Sequence, residues 1–380
     1  MIVKNESRII ERCLSSVKHL IDSWCIIDTG STDGTQDIIK NYLKDKPGEL
    51  IERPWVNFGH NRNEALRYAD KWGEWVLLID ADMVLIDEGF NPQVLDSDLS
   101  IDGYDIIQDN HGVRYYNTRL LRTSRKWECI GVTHEYYSPA DKKQHRDRIT
   151  NLWFNDVSDG GSKSDKFERD IRLLEQGLID EPGNHRYMFY LAQSYRDTKQ
   201  WDKAIHWYDM CSKTSSWDEE GWFAHYMMGW CMIQQKRDIK EIEAVMLAAW
   251  IRRPWRIEPI FYLAKEYGRN KFWSQAYALL KICATTRFPG NDILFITASL
   301  YEGASLDEFI VASFWVGEYE ESLVACNRLL EEKYAEVHRE RILANKRLAE
   351  KQLGHFSIDD LKKVLTEKKK EITNLLTVTI

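Results

Sequence analysis

Asp80 and Asp82 stand one residue apart at the end of an unbroken apolar run, Trp75-Val76-Leu77-Leu78-Ile79. An apolar run without alternation reads as a strand buried on both faces, as in the parallel sheets of α/β domains. Acids at its carboxyl end fall where open α/β sheets place ligands. Alternate side chains of an extended chain point the same way. The pair is therefore predicted to suit a hard divalent cation, one that takes oxygen ligands and bridges to a phosphate. A loop-capping acid pair is the competing reading, since short motifs of this kind recur by chance.

Four further groups could do chemistry. Trp24-Cys25-Ile26-Ile27-Asp28 reads as a strand ending in a carboxylate, followed by Thr29-Gly30-Ser31-Thr32-Asp33-Gly34-Thr35 and a helix. Asp28 can accept hydrogen bonds from a base or ribose, or the loop simply caps the helix. Arg62 and Asn63 in the first turn of a later helix face either an anion or a nucleobase, or solvent. His134-Glu135 is a second pair competent as metal ligand or general base, or a surface pair on an edge strand. Asp159-Gly160-Gly161 with Lys163, Lys166 and Arg169 is a candidate anion clamp, or a domain junction with solvated lysines.

The elements that must position these residues alternate strand and helix. Met1-Ile2-Val3, Trp24–Asp28, Leu50–Arg53 and Trp75–Ile79 are predicted strands with amphipathic helices between them. That order predicts a doubly wound parallel pattern. No GxGxxG and no GxxxxGK[ST] follows a strand, which argues against a dinucleotide dehydrogenase or a P-loop NTPase. The opening strand is short for a central one, as if clipped at its amino end.

The chain has 380 residues, 43% hydrophobic and 29% charged, with a net charge of −8. Length and composition predict about two globular domains, and the acidic balance argues against nucleic acid as a partner. Seven scattered cysteines without a CxxC predict free thiols, a reducing, cytoplasmic setting and no zinc site. No signal peptide and no transmembrane span is expected.

In this order, Asp28-Thr29-Gly30-Ser31-Thr32-Asp33-Gly34, the Arg62-Asn63 helix start and Asp80-Ala81-Asp82 resemble the inverting glycosyltransferases of family 2, which have the GT-A fold. The resemblance covers residues 1–165. Gly131-Val132-Thr133-His134-Glu135 and the Asp159–Arg169 segment are similar to a subgroup with tetratricopeptide-like helices after the transferase domain. It implies a nucleotide-sugar site bordered by Asn5 and Glu6, with Asp28 and Arg62 on the uracil. It implies Asp80 near the ribose and the metal, Asp82 as direct ligand to Mn²⁺ or Mg²⁺, His134 as a further ligand, and Glu135 as general base. Lys163 and Lys166 are carried along as donor-binding cations. Met83 stands where relatives often carry another acid. The QxxRW motif of processive synthases is absent, which implies transfer of one sugar, from a UDP-sugar, to a discrete acceptor such as a protein or a glycan.

From about residue 165 strands give way to repeats. Tyr190-Leu191-Ala192-Gln193-Ser194-Tyr195 recurs as Tyr262-Leu263-Ala264-Lys265-Glu266-Tyr267, and Trp201 and Ala204 recur as Trp273 and Ala276. Tyr226 lies midway, and the step is near the ~34-residue tetratricopeptide period of two helices per unit. The predicted organisation is a transferase domain over 1–165, helical repeats over 166–335 and a helical cap over 336–380. Small residues should pack the helices closely, and most aromatics should be core. Trp217, Trp222 and Trp255, outside the register, are candidates for an acceptor groove. Ile342, Leu348, Leu353, Leu361 and Leu365 are expected to form an apolar stripe that caps the repeats or joins two copies.

The leading expectation is a metal-dependent inverting glycosyltransferase of the hexosyltransferase class. A repeat scaffold with an inactive transferase-like half is the alternative, and metal-dependent nucleotidyl transfer a third class.

Overall fold

The computed structural model describes residues 1–111, 113–160, 166–354 and 366. The chain divides into two compact units, Met1–Ser194 and Tyr195–Ile380. Among the described residues the first is α/β and the second all-helical.

The first unit opens with β1 (Ile2–Val3), α1 (Ile10–Val17), β2 (Trp24–Asp28), α2 (Thr35–Tyr42), β3 (Gly48–Glu52) and α3 (Phe58–Ala69). Its strands form a parallel sheet in the order β1-β2-β3, with Val3 opposite Asp28 and Asp28 opposite Glu52. The apolar stripe of α1 is buried on two sides: Ile10 and Leu14 pack with Val3 and Ile26 of this sheet, and Cys13 and Val17 pack with Leu85 and Phe154. Next come β4 (Trp75–Leu77), β5 (Met83–Asp87), β6 (Gly103–Asn110), β7 (Val113–Arg122), β8 (Trp127–Ile130), β9 (Tyr136–Pro139) and β10 (Arg146–Asp156).

The expected run of parallel strands ends at β4. Five strands form a separate mixed sheet, β4-β7-β6-β10-β5, in which β4 pairs antiparallel with β7, while β8 and β9 form a two-stranded ribbon. The strand predicted over Trp75–Ile79 has register partners over Trp75–Leu77 and one further bond, from Leu78 N–H to Arg119 O at 2.7 Å; Leu78 and Ile79 are buried, and β5 starts directly after Asp82. The acid pair thus sits in a tight connection between two strands of one sheet. Helices α4 (Lys166–Asp180) and most of α5 (His185–Asp197) belong to this unit.

The second unit stacks α6 (Trp201–Thr214), α7 (Asp218–Gln234), α8 (Ile239–Arg252), α9 (Glu258–Arg269), α10 (Trp273–Thr285), α11 (Ser305–Val316), α12 (Tyr319–Leu330) and α13 (Ala335–Gln352). Ala204, Ala264 and Ala276 are buried at the helix contacts, as the repeat requires. Trp217 and Trp255 are partly exposed, but Trp222 is fully buried and donates its indole N–H to Ala249 O at 2.8 Å. Trp222 therefore belongs to the core and not to a groove. In α13, Ile342 is buried while Leu348 is half exposed, so the expected stripe is incomplete; Leu361 and Leu365 lie outside the described residues. All seven cysteines are free, six of them buried. Among the described residues no helix is long and apolar enough to cross a membrane.

Candidate active site

Two loops meet at the carboxyl ends of β1 and β2. Asn5 takes a left-handed backbone, φ 58°, which Asn tolerates better than most side chains. Its N–H donates to Ser31 Oγ at 2.9 Å, and its side-chain oxygen accepts from Thr32 N–H at 2.8 Å. Glu6 N–H donates to Thr35 Oγ1 and Ser7 N–H to Asp33 Oδ2, so the loop after β1 is stitched to the loop after β2. Asp28 is fully buried between them. Its Oδ1 accepts from Gly30 N–H, Ser31 N–H and Gln36 Nε2 at 2.8–3.1 Å. Burial pushes its pKa up, but the hydrogen bonds from Ser31, Gln36 and Gly30 outweigh this and hold it below the usual range. Oδ2 is buried and has no partner among the described residues. A buried acceptor left unpaired costs about 1–3 kcal/mol.

Asp80 and Asp82 have different surroundings. Asp80 is gripped by two arginines: Arg62 Nη2 lies 2.7 Å from Oδ1 and Arg119 Nη1 3.2 Å from Oδ2. Burial raises its pKa, and the two guanidiniums more than reverse that, so it stays ionised. Arg119, buried on β7, also donates to Gln108 Oε1 at 2.8 Å. Asp82 lies beside the loop that follows β10, with its carbonyl accepting from Val157 N–H. A Cβ added at Gly160 would meet Asp82 Oδ2 at 3.2 Å and Glu6 Oε1 at 3.4 Å, so these two acids flank the same small space. Arg12 on α1 holds Asp159 through two bonds of 2.7–2.8 Å and fixes that loop.

Arg62 also reaches the second motif. Its Nε is 2.7 Å from Glu135 Oε1, so one guanidinium joins Asp80 to Glu135. Burial would lower the Arg62 pKa, but Asp80, Tyr137 and Glu135 raise it well above the ordinary value. Arg62 thus pairs with two acids at once. Asn63 is also structural: it exchanges two hydrogen bonds with the Cys129 backbone. The loop carrying Glu135 is seated on the start of α3, where Phe58 N–H donates to Val132 O at 3.2 Å. Gly59 allows the approach, since a Cβ there would stand 2.3 Å from Gly131 O.

His134 does not join the aspartates. It stacks on Tyr190 at 4.1 Å and nearly parallel, and its Nε2 is 3.8 Å from Asp170 Oδ2. Burial, then the charges of Lys166 and Arg186, lower its pKa to about 4, so it is neutral. Arg186 donates to His134 O and lies 4.9 Å from the rings of both Tyr136 and Tyr190. Among the described residues, no three His, Cys, Asp or Glu side chains converge as a metal-ligand set. The expected trio Asp80, Asp82 and His134 is therefore not assembled among the described residues: Asp80 is held by Arg62 and Arg119, and His134 Nε2 faces Asp170. Lys163 lies outside the described residues; Lys166 opens α4.

Sequence reasoning missed Arg119. Its signal is a lone cation in the strand Thr118-Arg119-Leu120-Leu121, where burial of a charge requires a partner.

Residues 1–161 match the family model described as Glycosyl transferase family 2. The chain is similar to the SPbeta prophage-derived glycosyltransferase SunS of Bacillus subtilis, 31% identical over 219 residues, or 54% of this chain and 50% of that protein. It is 37% identical over 91 residues to a TPR repeat-containing protein of Synechococcus elongatus, 24% of this chain and 21% of that one. Among solved structures, MamA matches with a TM-score of 0.36 at 16% identity, covering 45% of this chain and 91% of MamA. The chain spans about half the length of SunS.

Proposed function

Residues 1–161 form a glycosyltransferase family 2 domain, and from that premise we propose that the chain transfers one sugar from a UDP-sugar to a discrete protein or glycan acceptor, with inversion. The observation that carries this reading is the unpaired, buried Asp28 Oδ2 at the end of β2. It is an acceptor suited to a nucleobase N–H, with Asn5 beside it to border the ring.

Asp82 and Glu6, whose carboxylate oxygens flank Gly160, would hold Mn²⁺ or Mg²⁺. Such ions are commonly held by one or two carboxylates, with phosphates and water completing the shell. The ion, when bound, supplies Lewis-acid neutralisation of charge on the diphosphate. Lys166 adds positive charge near His134.

Glu135 takes the proton of the acceptor nucleophile. That nucleophile forms its bond to the anomeric carbon as the bond to the diphosphate breaks, and the nucleoside diphosphate leaves with the electron pair. No covalent enzyme intermediate is needed, in keeping with a site built of acids. Arg62 holds Glu135 and Asp80 in place and keeps Asp80 ionised. The helical unit is assigned to acceptor binding or to assembly of copies.

The test is a panel of UDP-sugars with and without Mn²⁺, read by thermal shift and donor turnover. Binding raises the melting point with affinity and concentration. Asp82→Ala should abolish metal-dependent turnover. Metal dependence and turnover intact in that variant would refute the metal assignment.

A second reading, a repeat scaffold with an inactive transferase half, is favoured by one observation: both oxygens of Asp80 are engaged by arginines. It predicts no calorimetric heat with any UDP-sugar.

A further inference from the structure

A continuous chain of polar contacts joins the acid pair to the loop after β10. Glu135 pairs with Arg62 and Arg62 with Asp80, and Arg119 takes the other oxygen of Asp80. The chain does not stop at Arg119. Its Nη2 donates to Gln108 Oε1 at 2.8 Å, and Gln108 Nε2 donates to Asp156 Oδ2 at 3.0 Å. Asn110 Nδ2 donates to the same Asp156 oxygen at 2.9 Å, and Ser158 Oγ donates to Asp156 Oδ1 at 2.9 Å. Gln108, Arg119 and Asp156 are all buried, where a fully paired network is rigid and a half-paired one costly.

The backbone is shaped for this chain at both ends. Tyr104 pairs with Leu120 but Asp105 with Thr118, so Arg119 is the extra residue of a β-bulge between β6 and β7. Bulges re-aim a side chain and recur beside active sites. Here the guanidinium reaches both Asp80 and Gln108. The Gln108 amide is then oriented by its two ends, with its oxygen on a cation and its nitrogen on a carboxylate. At the far end Ser158 takes a left-handed backbone, φ 59°, which a residue with a Cβ keeps only where its surroundings hold it. Asp156 holds it through the hydroxyl, and next to it Val157 N–H donates to Asp82 O at 3.1 Å. Gly160, in the same loop, lies beside the carboxylate oxygens of Asp82 and Glu6.

We propose that Asp156 is a positioning residue of the transferase site. Through Ser158 it holds the Val157–Gly160 loop against Asp82, so that loop and acid present one preformed wall to the donor diphosphate and its cation. Gln108 and Arg119 tie that wall to Asp80. The proposal rests on the transferase reading of residues 1–161. Outer partners of this kind orient the groups that touch metal or substrate and set affinity without touching either.

Exchanging acid and amide tests it. Asp156→Asn sets one amide nitrogen against another at Gln108, and Gln108→Glu sets a second carboxylate against Asp156. The double variant again has a donor facing an acceptor at that contact, with the two groups in exchanged places. Each single variant should speed amide exchange at Val157 in the metal-free chain and weaken UDP binding in the presence of Mn²⁺ by about 10–100-fold. The double variant should recover most of both, the coupling expected of two residues in one network. Ile149→Ala truncates a buried core residue on the same strand, β10; it should lower Tm and leave UDP affinity in place, which separates positioning from general loosening. Unchanged Val157 exchange or unchanged UDP affinity in the single variants, no recovery in the double variant, or an equal loss of UDP affinity in Ile149→Ala overturns the proposal while the transferase reading stands. A parent chain that binds no UDP overturns both. Should the single variants fail to fold, Asn110→Ala, which removes a donor to Asp156 and Ser158, decides by the same two measurements: faster exchange with weaker UDP binding supports the proposal, and no change in either overturns it.

Discussion

Arg62 and Glu135 meet at 2.7 Å, although 73 positions separate them in sequence (135 − 62). The contact exists because the Gly131–Glu135 loop rests on the first turn of α3, and it places the proposed base one guanidinium away from Asp80. A base held this way is pre-oriented before the acceptor arrives. Glu135→Gln keeps the shape and an acceptor for Arg62 but cannot take a proton. Its kcat should fall by about 10²–10⁴-fold, while the donor KM and Tm stay near those of the parent. Steady-state kinetics with a saturating acceptor checks this, and an unchanged kcat removes Glu135 from the mechanism.

Gly59 reverses an ordinary expectation. In a helix interior, Gly→Ala usually stabilises by roughly 0.5–1 kcal/mol. Here the new Cβ would stand 2.3 Å from Gly131 O, a backbone atom that cannot swing aside. Gly59→Ala should therefore destabilise the first unit by about 1–3 kcal/mol, read as a lower urea midpoint. A neutral or stabilising result means the loop can retreat at little cost.

His134 gives a pH signature. Its folded pKa, about 4, lies below the unfolded value of 6.5. Between those values the unfolded chain binds more protons than the folded one, so stability rises with pH across that window. The contribution is complete above pH 6.5 and is lost as pH falls toward 4. Melting of the parent and of His134→Asn at pH 7 and pH 5 should show the larger acid loss in the parent. Parallel losses would mean that His134 is not buried neutral.

Arg256 is fully buried in the second unit, paired with Glu258 at 2.9 Å and near Asp292 and Glu219 at 3.3–3.4 Å, with its guanidinium 4.2 Å from the Trp222 ring. Removing one partner of a buried ion pair costs about 3–5 kcal/mol, because the others keep their charge without compensation. Arg256→Met should lower the unfolding free energy of the helical unit by an amount in that range, read as a lower urea midpoint. An unchanged midpoint would mean that Arg256 is not a buried, charge-paired group.

Local order fixes much of this protein before it folds. The alternation of apolar runs and amphipathic stretches specifies the α/β start, and Asp28 at the end of β2 is legible because a buried strand ending in an acid needs a polar reason. The helical repeats are legible because small and aromatic residues recur at one step. Periodicity carries all of this, and periodicity is a property of neighbours in sequence. The partners of the acids are another matter. Nothing near Asp80 in sequence announces that Arg62 and Arg119 take both its oxygens, or that His134 turns away to stack on Tyr190. Those pairings are made by residues tens of positions apart, brought together by β7, α3 and α5. The split of the sheet at β4 was hidden too, since strand order depends on which edges meet. Charge pairing over a few ångströms is decided by where the backbone delivers each side chain, and only the packed chain holds that information.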